Sequence, residues 1–275
     1  MKITAKADSE RFQSGANRYA AYLETPEGRL RADLAFATLQ EFLPSRPTID
    51  SLRALDIGCG TGATAVRLAQ LGLHVTLLDS SEEMLEIAKG AARKADVTER
   101  IALIKGDAAE LANLFPAPSF DVIICHNVLE YVGDPATVLR GAAPALRNAS
   151  AIVSILVRNQ AGEVLKAAIR AGDLGAAENS LTADWGRESL YDGRVRLFRF
   201  DSLRPMLKAA SLAMIAERGV RVVTDYLPPS VSRSTEYERI LELERKLGSR
   251  PEFAAVARYT HCLARRSDLV REDRA

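Results

Sequence analysis

Three features of the sequence predict an α/β fold built on a mostly parallel sheet. Apolar strand-like runs alternate regularly with amphipathic helical runs from Leu52 to Arg158; the first strand opens into the glycine-rich turn Gly58-Cys59-Gly60-Thr61-Gly62; and the second strand ends on an acid, Asp79. Parallel neighbours need crossover connections, so helices belong on both faces of the sheet.

Taken in order, Leu52 to Ile57 reads as the first strand, Ala63 to Leu71 as the first crossover helix and His74 to Asp79 as the second strand. A helix from Ser81 to Lys94 follows, opened by a Ser80-x-x-Glu83 capping box, then a third strand, Ile101 to Lys105, that exits at Gly106-Asp107. Phe120 to Cys125 is the fourth strand. Asp134-Pro135 starts a helix to Arg147, and Ala151 to Val157 forms the fifth strand, with Asn159 at its exit. From Gln160 to Arg199 the period is lost and glycines and charges accumulate, as in an insertion of short helices that covers a site. A helix near Ser202 to Ala209, a strand from Met214 to Val223, a helix from Thr235 to Leu247 and a last strand from Tyr259 to Ala264 bring the total to seven strands. Residues 1–50 add a cap whose helix, Glu27 to Leu43, carries Phe36, Leu39 and Leu43 along one face. The expected organisation is therefore a cap over 1–50, an α/β core over 51–159, a covering insertion over 160–200 and the rest of the sheet with a helical insertion over 201–275.

The chain has 275 residues, enough for one large α/β core plus a smaller cap, and requires no second complete domain. Met1 to Arg18 is polar and charged, without a long apolar run, so secretion and membrane insertion are not expected and the cytosol is. The three cysteines, Cys59, Cys125 and Cys262, and the three histidines, His74, His126 and His261, lack metal-ligand spacing, and no metal is expected. Cys59 reads as a small filler of the turn rather than a nucleophile. Residues 1–186 carry a net charge of −4 and residues 187–266 a net +6. The basic part either faces an anionic substrate or nucleic acid, or is an ordinary solvated helix surface.

Asp79 follows Gly58 by 21 residues, close to the ~20 expected of a carboxylate that receives ribose hydroxyls. Gly58, Gly60 and Ala63 also satisfy the dinucleotide spacing, so NAD or FAD is not excluded by spacing. Asp56 argues for another ligand, because a negative charge beneath the turn opposes a pyrophosphate and favours a cation. S-adenosylmethionine carries a sulfonium and an ammonium and no phosphate, and is the expected cofactor, with S-adenosylhomocysteine as product.

Leu55-Asp56-Ile57-Gly58-Cys59-Gly60-Thr61-Gly62, Asp79, Gly106-Asp107-Ala108 and Phe120-Asp121-Val122-Ile123-Ile124 resemble the class I S-adenosylmethionine-dependent methyltransferases over residues 52–158. His126-Asn127-Val128-Leu129-Glu130-Tyr131-Val132-Gly133-Asp134-Pro135, Gly219 to Val223 with Asp225-Tyr226-Leu227, Leu241-Glu242-Leu243-Glu244 and Arg258 to His261 are similar to one branch, the tRNA 5-carboxymethoxyuridine methyltransferases. The resemblance implies a Rossmann-like class I methyltransferase fold. It also implies that Arg31, Gly58, Cys59, Asp79, Ala108, Ala109 and His126 hold the cofactor, with Asp107 at the adenine amino group; Asp56 and Gly60 are expected to bind it too, from the reading of the turn itself. Cys59 and Asp107 depart from the closer branch, and residues 160–199 depart more widely.

A sulfonium methyl is already activated, and a carboxylate acceptor is anionic at neutral pH, so positioning carries the reaction and no indispensable acid-base residue is expected. An arginine would orient the acceptor, with Arg158, Arg199 and Arg221 as candidates and structural ion pairing as each one's alternative. Tyr19, Tyr226 and Tyr259 are candidate stacking residues that would also suit a core. His126 is assigned to cofactor placement, and Arg31 to the methionine carboxylate. The expected acceptor is the 5-carboxymethoxy group of a tRNA wobble uridine. A small-molecule carboxylate or phenol, or binding of the cofactor without turnover, remain the alternatives; the sequence leaves the oligomeric state open.

Overall fold

In the computed structural model, residues 5–44, 51–188, 190, 191, 193–199, 201–231 and 233–267 are described, the side chains of 5–11 and 13 excepted. Seven strands form one sheet: β1 (Arg53–Ile57), β2 (His74–Asp79), β3 (Ile101–Lys105), β4 (Val122–His126), β5 (Ile152–Arg158), β8 (Leu212–Val220) and β9 (Tyr259–Arg266). Their order is β3-β2-β1-β4-β5-β9-β8. The first five pair in parallel; β9 runs antiparallel to both neighbours, so one strand of seven is reversed. The chain starts in the middle of the sheet, builds outward through β2 and β3, then returns past β1 to β4. The carboxyl ends of β1 and β4 therefore diverge into a crevice, which is where open α/β sheets bind ligands.

Helices α3 (Ala63–Gln70), α4 (Glu82–Lys94), α5 (Leu111–Leu114) and α6 (Pro135–Ala145) make the crossovers. Two apolar layers sandwich the sheet, one centred on Leu55, Ile57, Ile123, Val153 and Leu139, the other on Leu77, Val75, Ile124, Leu68 and Leu39. Adjacent strand residues serve opposite layers, as the period-two geometry of a pleated strand requires. β5 is buried at all seven positions and reads as an unbroken apolar run interrupted only by Ser154 and the terminal Arg158.

Two helices cap the sheet: α1 (Ala5–Leu23) and α2 (Pro26–Glu41), the latter opened by Thr25, whose hydroxyl accepts the Gly28 amide at 3.1 Å, with Pro26 at the first helical position. On α2, Phe36 and Leu39 are buried and Leu43, just past its end, packs beside them. The polar run Met1 to Arg18 gives no apolar stripe to read, yet α1 forms because Ala16 and Tyr19 find partners on other segments of the chain.

Residues 160–199 hold α7 (Gln160–Leu165), a turn of π-helix, Lys166–Arg170, α8 (Leu174–Ser180) and a hairpin, β6 (Trp185–Glu188) with β7 (Gly193–Arg196). The hairpin is the correction here: short helices alone are expected, and two glycines with four charges mask a strand pattern whose inward residues are only Val195 and Glu188. A second correction concerns α4. Its cap is Ser81, whose hydroxyl accepts the Met84 amide at 3.3 Å, not Ser80. The tail of the sheet includes α9 (Leu203–Ala209), α10 (Tyr237–Gly248) and α11 (Pro251–Ala254). No helix among the described residues is long and apolar enough to cross a membrane.

Candidate cofactor and acceptor site

A cavity of about 690 Å³ opens at the carboxyl ends of β1, β2 and β4, roofed by α1 and the β6–β7 hairpin. Its floor is the glycine turn. Gly58, Gly60 and Gly62 have φ of 60°, 53° and 74°, a left-handed run that side chains resist. A Cβ on Gly58 would stand 2.5 Å from Val128, so this backbone approaches the β4 exit more closely than any side chain permits.

Asp79 holds the turn in place. Its Oδ2 accepts the Gly60 amide and its Oδ1 the Ser81 amide, both at 2.9 Å. Burial pushes its carboxyl up while the Ser81, Gly60 and Ser80 amides pull it down, and the net displacement is upward. A carboxylate offers about four acceptor positions, so the two amides leave capacity on the cavity side, where Asp79 lies.

Asp56 behaves differently from the sequence expectation. It is buried under the turn, does not border the cavity, and burial first, then the Asp79 charge, pushes its carboxyl up to about 8. Burial thus disfavours the charged form of Asp56, and with it the attraction for a cation expected of this residue. Cys59 is likewise buried and off the cavity, its thiol raised well above the usual range by burial, then by Asp56 and Asp79.

Opposite the turn stands Arg31 of α2. It is buried, bonds the Tyr19 hydroxyl at 3.0 Å, and its guanidinium carbon lies 5.7, 5.0 and 5.7 Å from the ring centres of Tyr19, Tyr22 and Tyr259. Among the described residues it pairs with no carboxylate. A buried cation surrounded by phenols and bordering a cavity is a seat for an anion.

Asp107, Ala108 and Ala109 border the cavity beyond β3, where the Asp107 carboxylate caps the turn by accepting the Ala109 amide at 2.9 Å. His126, the last residue of β4, borders it from the sheet. Its Nε2 lies 2.8 Å from Ser154 Oγ, which lies 2.7 Å from His261 Nε2. Burial, then His261 and Arg31, hold the His126 imidazole well below its ordinary value; burial, then Arg218, bring His261 to about 3. Both rings are neutral at physiological pH.

Of the acceptor candidates, Arg158 alone reaches the cavity. It is clamped by Glu188 and by Glu163, the latter at 3.2 Å. Arg221 is buried away from the cavity against Asp225 and the Tyr22 hydroxyl. Arg199 is exposed, bonded to Gln160 at 3.1 Å and to Asp184 at 3.4 Å, and Tyr226 reaches only the Gly162 carbonyl at 3.5 Å. Neither borders the cavity. Tyr19 and Tyr259 do.

Several cavity residues escape sequence reasoning. Glu130 is buried; its Oε1 accepts Asn127 Nδ2 at 3.0 Å and the Arg158 amide at 2.9 Å, while Oε2 has no partner. Burial raises its carboxyl above the usual range. Phe12, Tyr131 and Tyr191 form an edge-to-face aromatic wall, with ring centres 5.0 to 5.9 Å apart. Trp185, Arg194 and Arg196 stand at the mouth. Only the glutamate and Tyr131 carry a signal in the chain, as part of the run after the fourth strand. Among the described residues no cluster of His, Cys, Asp or Glu is arranged to hold a metal.

Residues 49–188 match the methyltransferase-domain family. The chain is 30% identical over 249 residues, 88% of its length and 90% of the relative's, to the tRNA 5-carboxymethoxyuridine methyltransferase of Escherichia coli strain K12. It is 33% identical over 141 residues, 49% of its length and 55% of the relative's, to the ubiquinone biosynthesis O-methyltransferase of Xylella fastidiosa strain 9a5c. Among solved structures, the CcbJ methyltransferase of Streptomyces caelestis shares the fold with a TM-score of 0.62 at 16% identity, covering 94% of this chain and 99% of that one. An S-adenosylmethionine-dependent methyltransferase of Mesorhizobium loti gives 0.54 at 18% identity, covering 88% and 99%. The chain belongs to the class I S-adenosylmethionine-dependent methyltransferases.

Proposed function

We propose that the chain methylates a carboxylate oxygen, and that its acceptor is the 5-carboxymethoxy group of a tRNA wobble uridine. The observation that carries the reading is the pairing of two opposed seats in one cavity: on one wall the buried guanidinium of Arg31, which meets no carboxylate among the described residues, and on the other a carboxylate with spare acceptor capacity, Asp79. They suit the two ends of an amino-acid-bearing nucleoside. Arg31 would hold the methionine carboxylate, Asp79 the ribose hydroxyls, Asp107 with Ala108 and Ala109 the adenine, and His126 the region between. The bare backbone of Gly58 and Gly60 leaves room for close approach. When bound, S-adenosylmethionine supplies an activated methyl group.

The rest falls to the chain. α1 and the hairpin restrict water at the cavity, and Arg158, fixed by Glu163 and Glu188, presents a rigid cation near the acceptor. An anionic carboxylate needs no proton removed, and the neutral His126 and His261 offer no acid. Similarity across both chain lengths to the tRNA enzyme supports the RNA acceptor; a cytoplasmic location goes with it. The aromatic wall of Phe12, Tyr131 and Tyr191 favours, as a second reading, a small aromatic carboxylate or phenol, in line with the shorter match to ubiquinone biosynthesis enzymes.

The test is incubation with methyl-labelled S-adenosylmethionine and tRNA bearing unmethylated 5-carboxymethoxyuridine, and separately with a panel of small carboxylates and phenols. Label in base-labile linkage to tRNA is the expected result. Label confined to small molecules overturns the RNA acceptor.

A further inference from the structure

The β6–β7 hairpin presents a tryptophan among arginines beside the cavity. The register sets Trp185 opposite Arg196 and Arg187 opposite Arg194, so all four share one face, while Val195 and Glu188 turn toward the interior. Trp185 is 36% exposed, and the Arg194 and Arg196 guanidinium carbons lie 4.8 and 4.7 Å from its ring centre. Among the described residues neither Arg194 nor Arg196 forms an ion pair with a carboxylate; Arg196 donates to the Gly133 carbonyl at 3.3 Å. A two-stranded ribbon is marginal to begin with. The face therefore concentrates positive charge on a flat aromatic surface where the cavity meets solvent.

That combination matches an unpaired nucleotide. A base released from a loop stacks on an aromatic ring or a guanidinium plane, and its flanking phosphates take arginine. A small carboxylate would account for the arginines but not for the aromatic ring beside them. We propose that this face is a landing platform for a single-stranded RNA loop: a base next to the target nucleotide stacks on Trp185, Arg194 and Arg196 meet the phosphates, and the target base enters the cavity. The proposal rests on the RNA reading of the acceptor. Its anchor is the Glu188–Arg158 pair, which fixes the platform relative to the cavity floor.

Trp185 is the sole tryptophan of the chain, so its emission reports on this face alone. The full-length protein, saturated with S-adenosylhomocysteine, is titrated with a synthetic anticodon stem-loop carrying 5-carboxymethoxyuridine while tryptophan fluorescence is followed. RNA affinity is measured in parallel by anisotropy for W185A, W185F and the double variant R194Q/R196Q, with S-adenosylhomocysteine binding as the folding control. The platform predicts quenching on binding, a loss of about ten-fold or more for W185A and under about three-fold for W185F. For R194Q/R196Q it predicts that the slope of log affinity against log salt falls by about 1.4. If wild-type protein binds and methylates the RNA while emission and W185A affinity stay unchanged, the platform is wrong and the acceptor reading survives. If wild-type protein neither binds nor methylates the RNA, both fall.

Discussion

Arg158, the last residue of β5, pairs with Glu188, the last residue of β6, and so ties the central sheet to the hairpin above the cavity. Both side chains are buried, and Glu188 Oε1 also accepts the Leu190 amide at 2.8 Å. Buried carboxylates with this many charged and amide donors are positioned to within one geometry, so the pair sets where the roof sits.

Glu188→Gln leaves a buried guanidinium with half its counter-charge, since Glu163 remains. The cost lies at the low end of the roughly 3–5 kcal/mol for breaking a buried pair, which lowers Tm by about 6–12 °C for a chain of this size. Differential scanning calorimetry checks this; a Tm within about 2 °C of wild type would show that the pair does not anchor the hairpin.

Asp56 makes stability depend on pH with a defined sign. Its folded pKa, about 8, lies above its ordinary value, so between roughly pH 4 and pH 8 the folded state holds a proton that the unfolded state has lost, and stability falls as pH rises through that window. Asp56→Asn removes the titration. The variant's Tm advantage over wild type should grow from pH 5 to pH 8 and level off above it; an advantage independent of pH would contradict the burial argument.

Tyr259 provides the opposite case. Burial alone would raise its phenol, but Arg158, Arg31, Arg221 and Arg258 outweigh burial and bring it down to about 8. The phenolate's ultraviolet absorbance should show one tyrosine ionising near pH 8, absent in Tyr259→Phe. Tyr22 moves the other way, to about 12, chiefly through burial. A titration with no tyrosine ionising below pH 9 would mean that the four cations are screened.

Ser154 owns one hydroxyl proton, so it donates to one of His126 and His261 and accepts from the other. It thereby fixes the ring of His126 at the cavity. Ser154→Ala should cost about five- to ten-fold in kcat/KM, equivalent to one lost hydrogen bond of about 1–1.4 kcal/mol. Because both rings are neutral, that loss should be the same at pH 6 and pH 8. An unchanged kcat/KM would relieve His126 of any positioning by the relay.

What the chain discloses about itself follows from where the forces act. The strands from Arg53 to Arg158 are legible because their apolar runs recur between helical crossovers, with β1, β4 and β5 buried at nearly every position, and the glycine turn because its backbone is left-handed where a Cβ would strike Val128. The seventh strand pairs antiparallel beside β5, and its apolar run shows as readily as the rest. The arginines are not legible. Arg31, Arg158, Arg199 and Arg221 look alike in sequence, and only the three-dimensional distribution of Glu163, Glu188, Asp225 and Asp184 separates the clamped or exposed ones from Arg31. The environment of Asp56 is hidden for the same reason: residue type announces an acid, while burial sets how strongly its charged form is disfavoured. The hairpin is hidden because its outward face is Trp and arginine, with nothing apolar to alternate against.

The central claim is that Arg31 and Asp79 are the two ends of a cofactor seat. Isothermal titration calorimetry of the purified chain with S-adenosylhomocysteine tests it most directly, with NADH as the competing nucleotide. The account predicts one site per chain for S-adenosylhomocysteine and none for NADH. It also predicts affinity weakened by about two orders of magnitude in Arg31→Met, the cost of removing a buried charge partner, and by at least about ten-fold in Asp79→Asn, which loses a charged hydrogen-bond acceptor. Tight binding of S-adenosylhomocysteine that is indifferent to both substitutions, or binding of NADH in its place, would contradict it.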